Sequence, residues 1–333
     1  MAETENNAVP PQGAAPSTPA VAPAARPPVS ARHLVESWQD AKMRFAVLLA
    51  AFHADASWLA RLDALSDRVL GLLEQDTDVA LYMLQQTATN EIERYSAHHA
   101  LFCAVVAHLC SAWFDSPGPE RRSLFAAALT MNLGMQSMQD SMAKQAGELS
   151  PDQRRRIDEH PAISVEMLRS AGVTEALWLD IVARHHQPIA AGECADPLLD
   201  AQRLAELLHR IDVFTAKLSR RRVRAGASAT VAARHACLDA SGHPDAIGAT
   251  LLRVLGLYPP GSYVRLANGE LAVVVRRGTK AHAPIVASLR RPDGTPFSRA
   301  VRRDTTEKVF VVQRAVESGE LKMVLNHERI LGG

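Results

Sequence analysis

The sequence predicts a mostly α-helical protein that ends in a small antiparallel β module. From residue 32 to about residue 256, apolar residues recur every three or four positions, which is the period of helices packed on a core. After Tyr258 the period changes to two, and Asn268-Gly269 separates two apolar runs, a strong signal of a β-hairpin. Because helices and strands occupy separate blocks, the order favours segregated α and β parts over an alternating α/β sheet.

The composition argues against several classes of protein. The chain has 333 residues, of which 47% are apolar, and a formal net charge of +1. This balance, with 5% aromatic residues, indicates neither nucleic-acid nor membrane-surface binding. We find no apolar run near about 20 residues and no secretory signal, so we expect a cytoplasmic protein without a membrane span. The four cysteines, which form no Cys-x-x-Cys pair, are interpreted as packing residues in a reducing compartment: Cys103, Cys110, Cys194 and Cys237.

The amino-terminal third divides into a tail and a helical region. Residues 1–31 are rich in alanine and proline and have neither helical nor strand period, so we expect a disordered tail. Residues 32–90 are expected to form three helices. The first two carry one apolar face each, made of Leu34, Trp38, Phe45, Leu48, Leu49 and Phe52 in one and Leu59, Leu62, Leu65, Val69, Leu72 and Leu73 in the other.

Helical spacing continues through residues 91–257. Ser150-Pro151 with Gln153 is typical of a helix start, since serine caps the helix and proline suits its first position. A long helix is expected at about 197–219. Residues 258–325 are predicted to form a β-barrel-like module, with strands around the Asn268-Gly269 turn and at 284–289 and 309–312, and with a turn at Asp293-Gly294 between the last two; residues 326–333 are expected to be a tail.

The thirteen histidines suggest a metal site because several are clustered in the helical part. Imidazole and carboxylate are common ligands of zinc, iron and manganese. The candidates are His98-His99, His160, His185-His186 and Asp212. The alternative interpretation is that these side chains are buried, hydrogen-bonded packing residues.

The order of these motifs resembles the HD-GYP family of the HD phosphohydrolase superfamily, from about Tyr95 to Tyr258 and on into the β module. The resemblance rests on Tyr95-Ser96-Ala97-His98-His99, Glu159-His160-Pro161, Ile181-Val182-Ala183-Arg184-His185-His186, Ile211-Asp212-Val213-Phe214-Thr215-Ala216 and Tyr258-Pro259-Pro260-Gly261-Ser262. It implies an HD-domain helical bundle, a bacterial-type signalling role and cyclic di-GMP phosphodiesterase chemistry at a pair of metal ions.

The chain departs from that family at the segment 127–135. Where the resemblance implies Leu-Leu-His-Asp-Ile-Gly-Lys, Met131 replaces the histidine, Asn132 the aspartate that bridges the two ions, and Met135 the lysine. Two dications about 3.7 Å apart repel by about 18 kcal/mol at an effective dielectric of about 20, and anionic bridges offset this repulsion. Asn132 is neutral, so no catalytic residue of this motif is intact and a paired-metal centre is not expected.

The remaining ligands divide unevenly between the two metal positions that the resemblance implies. His99 and Asp212 belong to the first, and His160, His185 and His186 to the second. Three imidazoles with an open fourth position are a known catalytic zinc arrangement. We therefore expect either no metal or one divalent ion, iron, manganese or zinc.

Two further segments bear on the substrate. The family's Gly-Tyr-Pro is missing from Gln187-Pro188-Ile189-Ala190-Ala191-Gly192-Glu193-Cys194, so this segment does not predict specificity for cyclic di-GMP. Arg220, Arg221 and Arg222 follow Asp212 where the family places an arginine that contacts phosphate. The alternative is a solvated basic helix end.

Two functions remain open. The leading hypothesis is a degenerate signalling protein that binds cyclic di-GMP, a signalling protein or a second copy of itself without hydrolysis. The rival is a phosphohydrolase that uses a single metal ion. Because fold alone does not settle function, the site has to decide between them.

Overall fold

The fold is a bundle of helices followed by a five-stranded antiparallel sheet, which confirms the predicted class. The computed structural model describes residues 29–114, 116–187, 200–238, 241–321 and 323–332. The helices are α1 (Ala31–Ala50), α2 (Ala56–Gln75), α3 (Thr77–Asn90), α4 (Tyr95–Ser111), α5 (Gly118–Thr130), α6 (Gln136–Lys144), α7 (Pro151–Ser170), α8 (Ala176–Arg184), α9 (Asp200–Leu218), α10 (Ala229–Cys237), α11 (Ala246–Leu255) and α12 (His327–Leu331). The strands are β1 (Tyr263–Leu266), β2 (Leu271–Arg276), β3 (Ile285–Arg290), β4 (Pro296–Asp304) and β5 (Val312–Val316).

Local sequence signals explain where several of the helices begin. The side chains of Ser30, Asp55 and Asp76 cap α1, α2 and α3 by accepting a hydrogen bond from a backbone N–H three residues on. At α7, Ser150 and Gln153 form the reciprocal capping box that the sequence predicts. Each cap satisfies backbone donors that a helix start leaves unpaired, so these starts are fixed by local chemistry.

Helix α4 lies at the centre of the bundle. It contacts α1, α3, α5, α6, α9 and α11, and nearly all of its residues are buried, including both His98 and His99. The stretch Tyr95–Phe114 is long and apolar enough to span a membrane, contrary to our expectation from the sequence, but 72% of the tested window is buried inside the protein. Its apolar composition therefore fits its position among other helices.

The sheet has the order β4-β3-β2-β1-β5 and two apolar faces. Leu271, Val273 and Val275 of β2 join the main helical core, whereas Ala272 and Val274 form a small second core. Gly269, with φ of +84°, makes the predicted hairpin turn. Strand β4 was not predicted from the sequence. Among the described strands β4 and β5 are the edges of the sheet, so the expected barrel closure is not seen.

The sheet is joined to α3 by polar contacts and by one close approach. Arg276 lies 2.7 Å from Asp76 and Arg277 lies 2.6 Å from Asp78. At Gly261, a Cβ would lie 2.6 Å from the side chain of Gln85, so only glycine allows this approach. One buried apolar cluster extends from Leu34 to Ile330, and the domain boundaries drawn from the sequence stay a prediction.

Candidate metal and nucleotide site

Three histidines from two helices form the trihistidine cluster, which consists of His160, His185 and His186. Their nearest ligand nitrogens all lie within 4.8 Å of one another. His160 lies on α7, and the His185-His186 pair follows α8 directly. His160 and His185 are fully buried, whereas His186 is at the solvent edge. The predicted ligands of the second metal position thus come together in space.

Hydrogen bonds fix the orientation of the two buried rings. The Nδ1–H of His160 donates to the carbonyl of Ile157, and the Nδ1–H of His185 donates to the carbonyl of Val182 at 2.7 Å. A carbonyl can only accept, so both Nδ1 atoms carry a proton. The two Nε2 atoms then face each other at 3.2 Å. Such second partners are what orient histidines that bind metal ions.

Both rings of this pair are neutral near pH 7. Burial, with the neighbouring imidazoles, lowers the pKa of His185 to about 3. Burial also lowers the pKa of His160 to about 4. With Nδ1 protonated and the ring neutral, each Nε2 presents a lone pair. Two lone pairs at 3.2 Å repel each other, and a cation or proton between them would remove that repulsion.

A second group, the His–Cys–Asp cluster, consists of His99, Cys103 and Asp212. The Nε2–H of His99, on α4, donates to Oδ1 of Asp212, on α9, at 2.7 Å. Cys103, one helical turn after His99, places its Sγ 3.7 Å from the same Nε2. The three ligand atoms lie within 4.8 Å of one another. The two predicted residues of the first metal position are thus adjacent, with a cysteine that the sequence analysis interpreted as packing.

The His99–Asp212 contact is an ion pair. Burial alone would lower the pKa of His99, but Cys103, Tyr95 and Asp212 together hold it well above 6.5. Burial would likewise raise the pKa of Asp212, but His99 holds it well below 3.8. Only the carboxylate reaches solvent, since the His99 side chain is 1% and the Asp212 side chain 17% exposed.

The segment that departs from the family pattern forms a tight turn between α5 and α6. The hydroxyl of Ser164 donates to the carbonyl of Met131 at 2.8 Å and accepts the N–H of Gly134 at 2.9 Å. A Cβ at Gly134 would lie 2.8 Å from the carbonyl oxygen of His160. The turn is therefore held against the part of α7 that carries His160. The helical spacing of residues 91–257 predicts a helix here, but α5 ends at Thr130, so Met131 and Asn132 lie outside it.

Asn132 is the most unusual residue of this turn. It is 5% exposed, and neither its Oδ1 nor its Nδ2 has a hydrogen-bond partner among the described residues. Buried polar groups are usually paired because leaving one unpaired costs about 1–3 kcal/mol. Met131 beside it is fully buried and apolar, and Met135 is also buried. The position where the family pattern has a bridging aspartate thus holds a neutral, unpaired amide.

The basic segment after α9 reaches towards the His–Cys–Asp cluster through an aromatic ring. The guanidinium of Arg221 lies over the ring of Tyr95 and 3.4 Å from its hydroxyl, and Tyr95 stacks on His99. Arg220, Arg221, Arg222 and Arg224 line a cleft of about 770 Å³ against the sheet. In the part of the chain that the structure describes, none of the four forms an ion pair.

Comparison with known proteins agrees with the resemblance seen in the motifs. The chain is 28% identical over 203 residues to the cyclic di-GMP phosphodiesterase PA4108 of Pseudomonas aeruginosa. The match covers 60% of this chain and 48% of that protein, so the chain spans about half the length of the curated relative it matches. No protein-family model matches the chain, and no solved structure matches it significantly.

Several contributors to the site were not found from the sequence. Cys103 was assigned to packing with Cys110, although its four-residue spacing from His99 places both on one helix face. Thr215, whose hydroxyl lies 3.1 Å from the Cys103 sulfur, and Ser164 gave no signal because their partners are distant in sequence. Most of the expected substrate loop falls within residues 188–199, outside the described residues.

The donor atoms present fit one divalent ion better than two. Imidazole, thiolate and carboxylate are suitable zinc ligands, and two groups of three are available. The single carboxylate, Asp212, is within electrostatic reach of all three histidines of the trihistidine cluster, so the two groups share one environment. Between the two groups there is no anion at position 132 that could bridge two metal ions and offset their repulsion, because Asn132 is neutral.

Proposed function

We propose that this chain is a degenerate relative of cyclic di-GMP phosphodiesterases that acts by binding and does not hydrolyse the nucleotide. The observation that carries the proposal is the neutral amide of Asn132, which is buried in the turn held against α7 and has no hydrogen-bond partner among the residues that the structure describes. A paired-metal hydrolase needs an anion between its ions, because their repulsion is about 18 kcal/mol at about 3.7 Å and a dielectric of about 20. An amide does not supply that charge.

The proposed ligand is cyclic di-GMP, and the supporting features are the four arginines and the relative's activity. Among the described residues, Arg220, Arg221, Arg222 and Arg224 have no carboxylate partner, and guanidinium groups match phosphate oxygens well. Arg221 is the best placed, since Tyr95 connects it to the His–Cys–Asp cluster. We propose that binding is read out by contact with another signalling protein or a second copy of the chain.

A second candidate function is a phosphohydrolase with one metal ion at the trihistidine cluster. Its support is the pair of Nδ1 bonds that leave the Nε2 atoms of His160 and His185 facing each other. A single ion there would act as a Lewis acid on a phosphoryl oxygen. The carbonyls of Ile157 and Val182 would hold the imidazoles of His160 and His185 in the orientation that binds the ion.

One set of measurements on the purified full chain separates the two candidates. Bound iron, manganese and zinc are quantified, and binding and cleavage of cyclic di-GMP are then measured with and without each added metal. We expect binding without cleavage under every condition. Metal-dependent cleavage that disappears in His185→Ala but persists in the exposed control His53→Ala would replace the first proposal with the second.

The role of Arg221 is tested by titration with the nucleotide. Arg221→Ala should weaken binding by about 10-fold to 100-fold, the usual range for a lost charge-assisted hydrogen bond. Arg299→Ala, which removes an exposed arginine from β4, is the matched control and should bind as the wild type does. Equal affinity of the two variants would show that the cleft is not the nucleotide site.

A further inference from the structure

Cys103 has contacts that a packing cysteine does not need. It is 0% exposed, and its Sγ lies 3.7 Å from Nε2 of His99 and 3.1 Å from the hydroxyl of Thr215. Cys110, seven residues later on the same helix and equally buried, belongs to no group of ligand residues in the described part of the chain. The sulfur of Cys103 therefore occupies a polar pocket of the core, between α4 and α9.

The separation of the ligand atoms suits zinc. With Zn–S of about 2.3 Å and Zn–N of about 2.05 Å, tetrahedral coordination places the two ligand atoms about 3.6 Å apart. The Sγ–Nε2 distance of 3.7 Å is close to that value. The Nε2–Oδ1 distance of 2.7 Å is that of a hydrogen bond and would have to open by roughly 0.6 Å as the ion replaces the proton. Asp212 is the half-buried member and the one with room to move.

Charge also favours this cluster over the trihistidine cluster. A buried dication is costly unless anions accompany it. A Cys103 thiolate and the Asp212 carboxylate supply two negative charges, which neutralise one Zn²⁺. The trihistidine cluster supplies none, since its ligands are neutral imidazoles. An ion should therefore enter the His–Cys–Asp cluster first.

We infer that Cys103 has taken over a metal-ligand role in this chain and forms, with His99 and Asp212, a mononuclear zinc site. A thiolate favours zinc over the harder manganese and magnesium ions, so a cysteine ligand makes the centre selective for zinc. This inference goes beyond the proposed function, because the site forms whether or not a nucleotide is bound. With three protein ligands it leaves a fourth position free.

Cobalt is the probe that reports the sulfur directly. The full chain, freed of metal with a chelator, is titrated with Co²⁺, and absorption is followed for the sulfur-to-cobalt charge-transfer band in the near ultraviolet. We expect the band in the wild type, its displacement by one equivalent of Zn²⁺, and its loss in Cys103→Ser. It should persist in the single variants Cys110→Ser, Cys194→Ser and His185→Ala.

Other outcomes overturn the inference. No cobalt binding, a band that survives in Cys103→Ser, or a band that disappears in Cys194→Ser or His185→Ala would place the ion elsewhere or nowhere. If Cys103→Ser fails to fold by circular dichroism, X-ray absorption of the zinc-loaded wild type and of Cys194→Ser decides the matter. One sulfur in the coordination shell of both proteins is the expected result, and a shell of nitrogen and oxygen alone contradicts it.

Discussion

Placing the family's His-Asp pair at positions 131 and 132, in the turn after α5, should make the stability of the protein depend on bound metal. In the double variant Met131→His with Asn132→Asp, a carboxylate enters a position that is 5% exposed and whose wild-type amide has no hydrogen-bond partner in the described part of the chain. Without metal, an unpaired buried charge costs about 3–5 kcal/mol of folding free energy. With metal, the charge gains a partner, and ligand at about 100 times its dissociation constant returns about 2.7 kcal/mol.

The assay is urea denaturation of the double variant with a chelator and with excess manganese, alongside quantification of bound metal. We expect a lower midpoint than that of the wild type in the chelator, and recovery of most of the loss in manganese. The wild type should show no comparable response to manganese. If the double variant folds but neither binds metal nor changes its midpoint, our alignment of this turn with the family motif is wrong.

Asn132→Leu is the matched control for the same position. It removes two polar atoms that lack partners among the described residues and keeps the same branched arrangement of heavy atoms, so it should leave stability unchanged or raise it by about 1–3 kcal/mol, with no response to metal. A loss of stability in this variant would mean that the amide of Asn132 is hydrogen-bonded in solution.

Two further predictions concern the packing and protonation of the bundle. Gly134→Ala should lower the free energy of unfolding by about 1–3 kcal/mol, because its Cβ would lie 2.8 Å from the carbonyl oxygen of His160 and the turn would have to move. The control is Gly118→Ala, where nothing lies within 4 Å of the added Cβ. It should lower the free energy of unfolding far less in the same denaturation experiment. Burial lowers the pKa of His108 to about 4, below the 6.5 of the unfolded chain, so the stability from its neutral form is present above pH 6.5 and is lost as the pH falls towards 4. His108→Gln should remove about 2 kcal/mol of that pH dependence after allowance for solvent screening, whereas the exposed control His53→Gln should retain it; equal pH profiles for both variants would contradict this.

Local signals made part of the fold predictable. The capping box of Ser150 and Gln153 and the hairpin at Asn268-Gly269 depend on residues within a few positions of one another, and both formed as expected. Strand β4 was missed because it is an edge strand with mostly polar, partly exposed residues, so no apolar alternation marks it. Where tertiary contacts determine the formation of a strand, the apolar alternation that would predict it from the sequence is weak.

The candidate site was predictable only as a set of positions. The order of the histidine motifs located both clusters, since each motif lies on a different helix of one bundle. The involvement of Cys103 depends on the approach of α9, and the unpaired state of Asn132 depends on how the turn meets α7. The four-residue spacing places Cys103 on the same helix face as His99, but it does not show that α9 packs against that face, and no spacing along the chain shows what surrounds Asn132.

The two-sided burial of the sheet has a consequence for how β2 finds its alignment. Neighbouring positions of β2 such as Ala272 and Val273 are both apolar. A shift of the strand pairing by one residue would therefore replace one apolar face with another, at little cost in buried apolar surface. An alternation of polar and apolar residues therefore does not fix the pairing register of this strand. The register is instead fixed by Glu270, a buried acid just before β2, which accepts hydrogen bonds from Ser288 on the adjacent strand β3 and from Nε and Nη2 of Arg303 on β4, the next strand beyond it. One buried polar residue, Glu270, thus sets the pairing register that the apolar residues of β2 leave undecided.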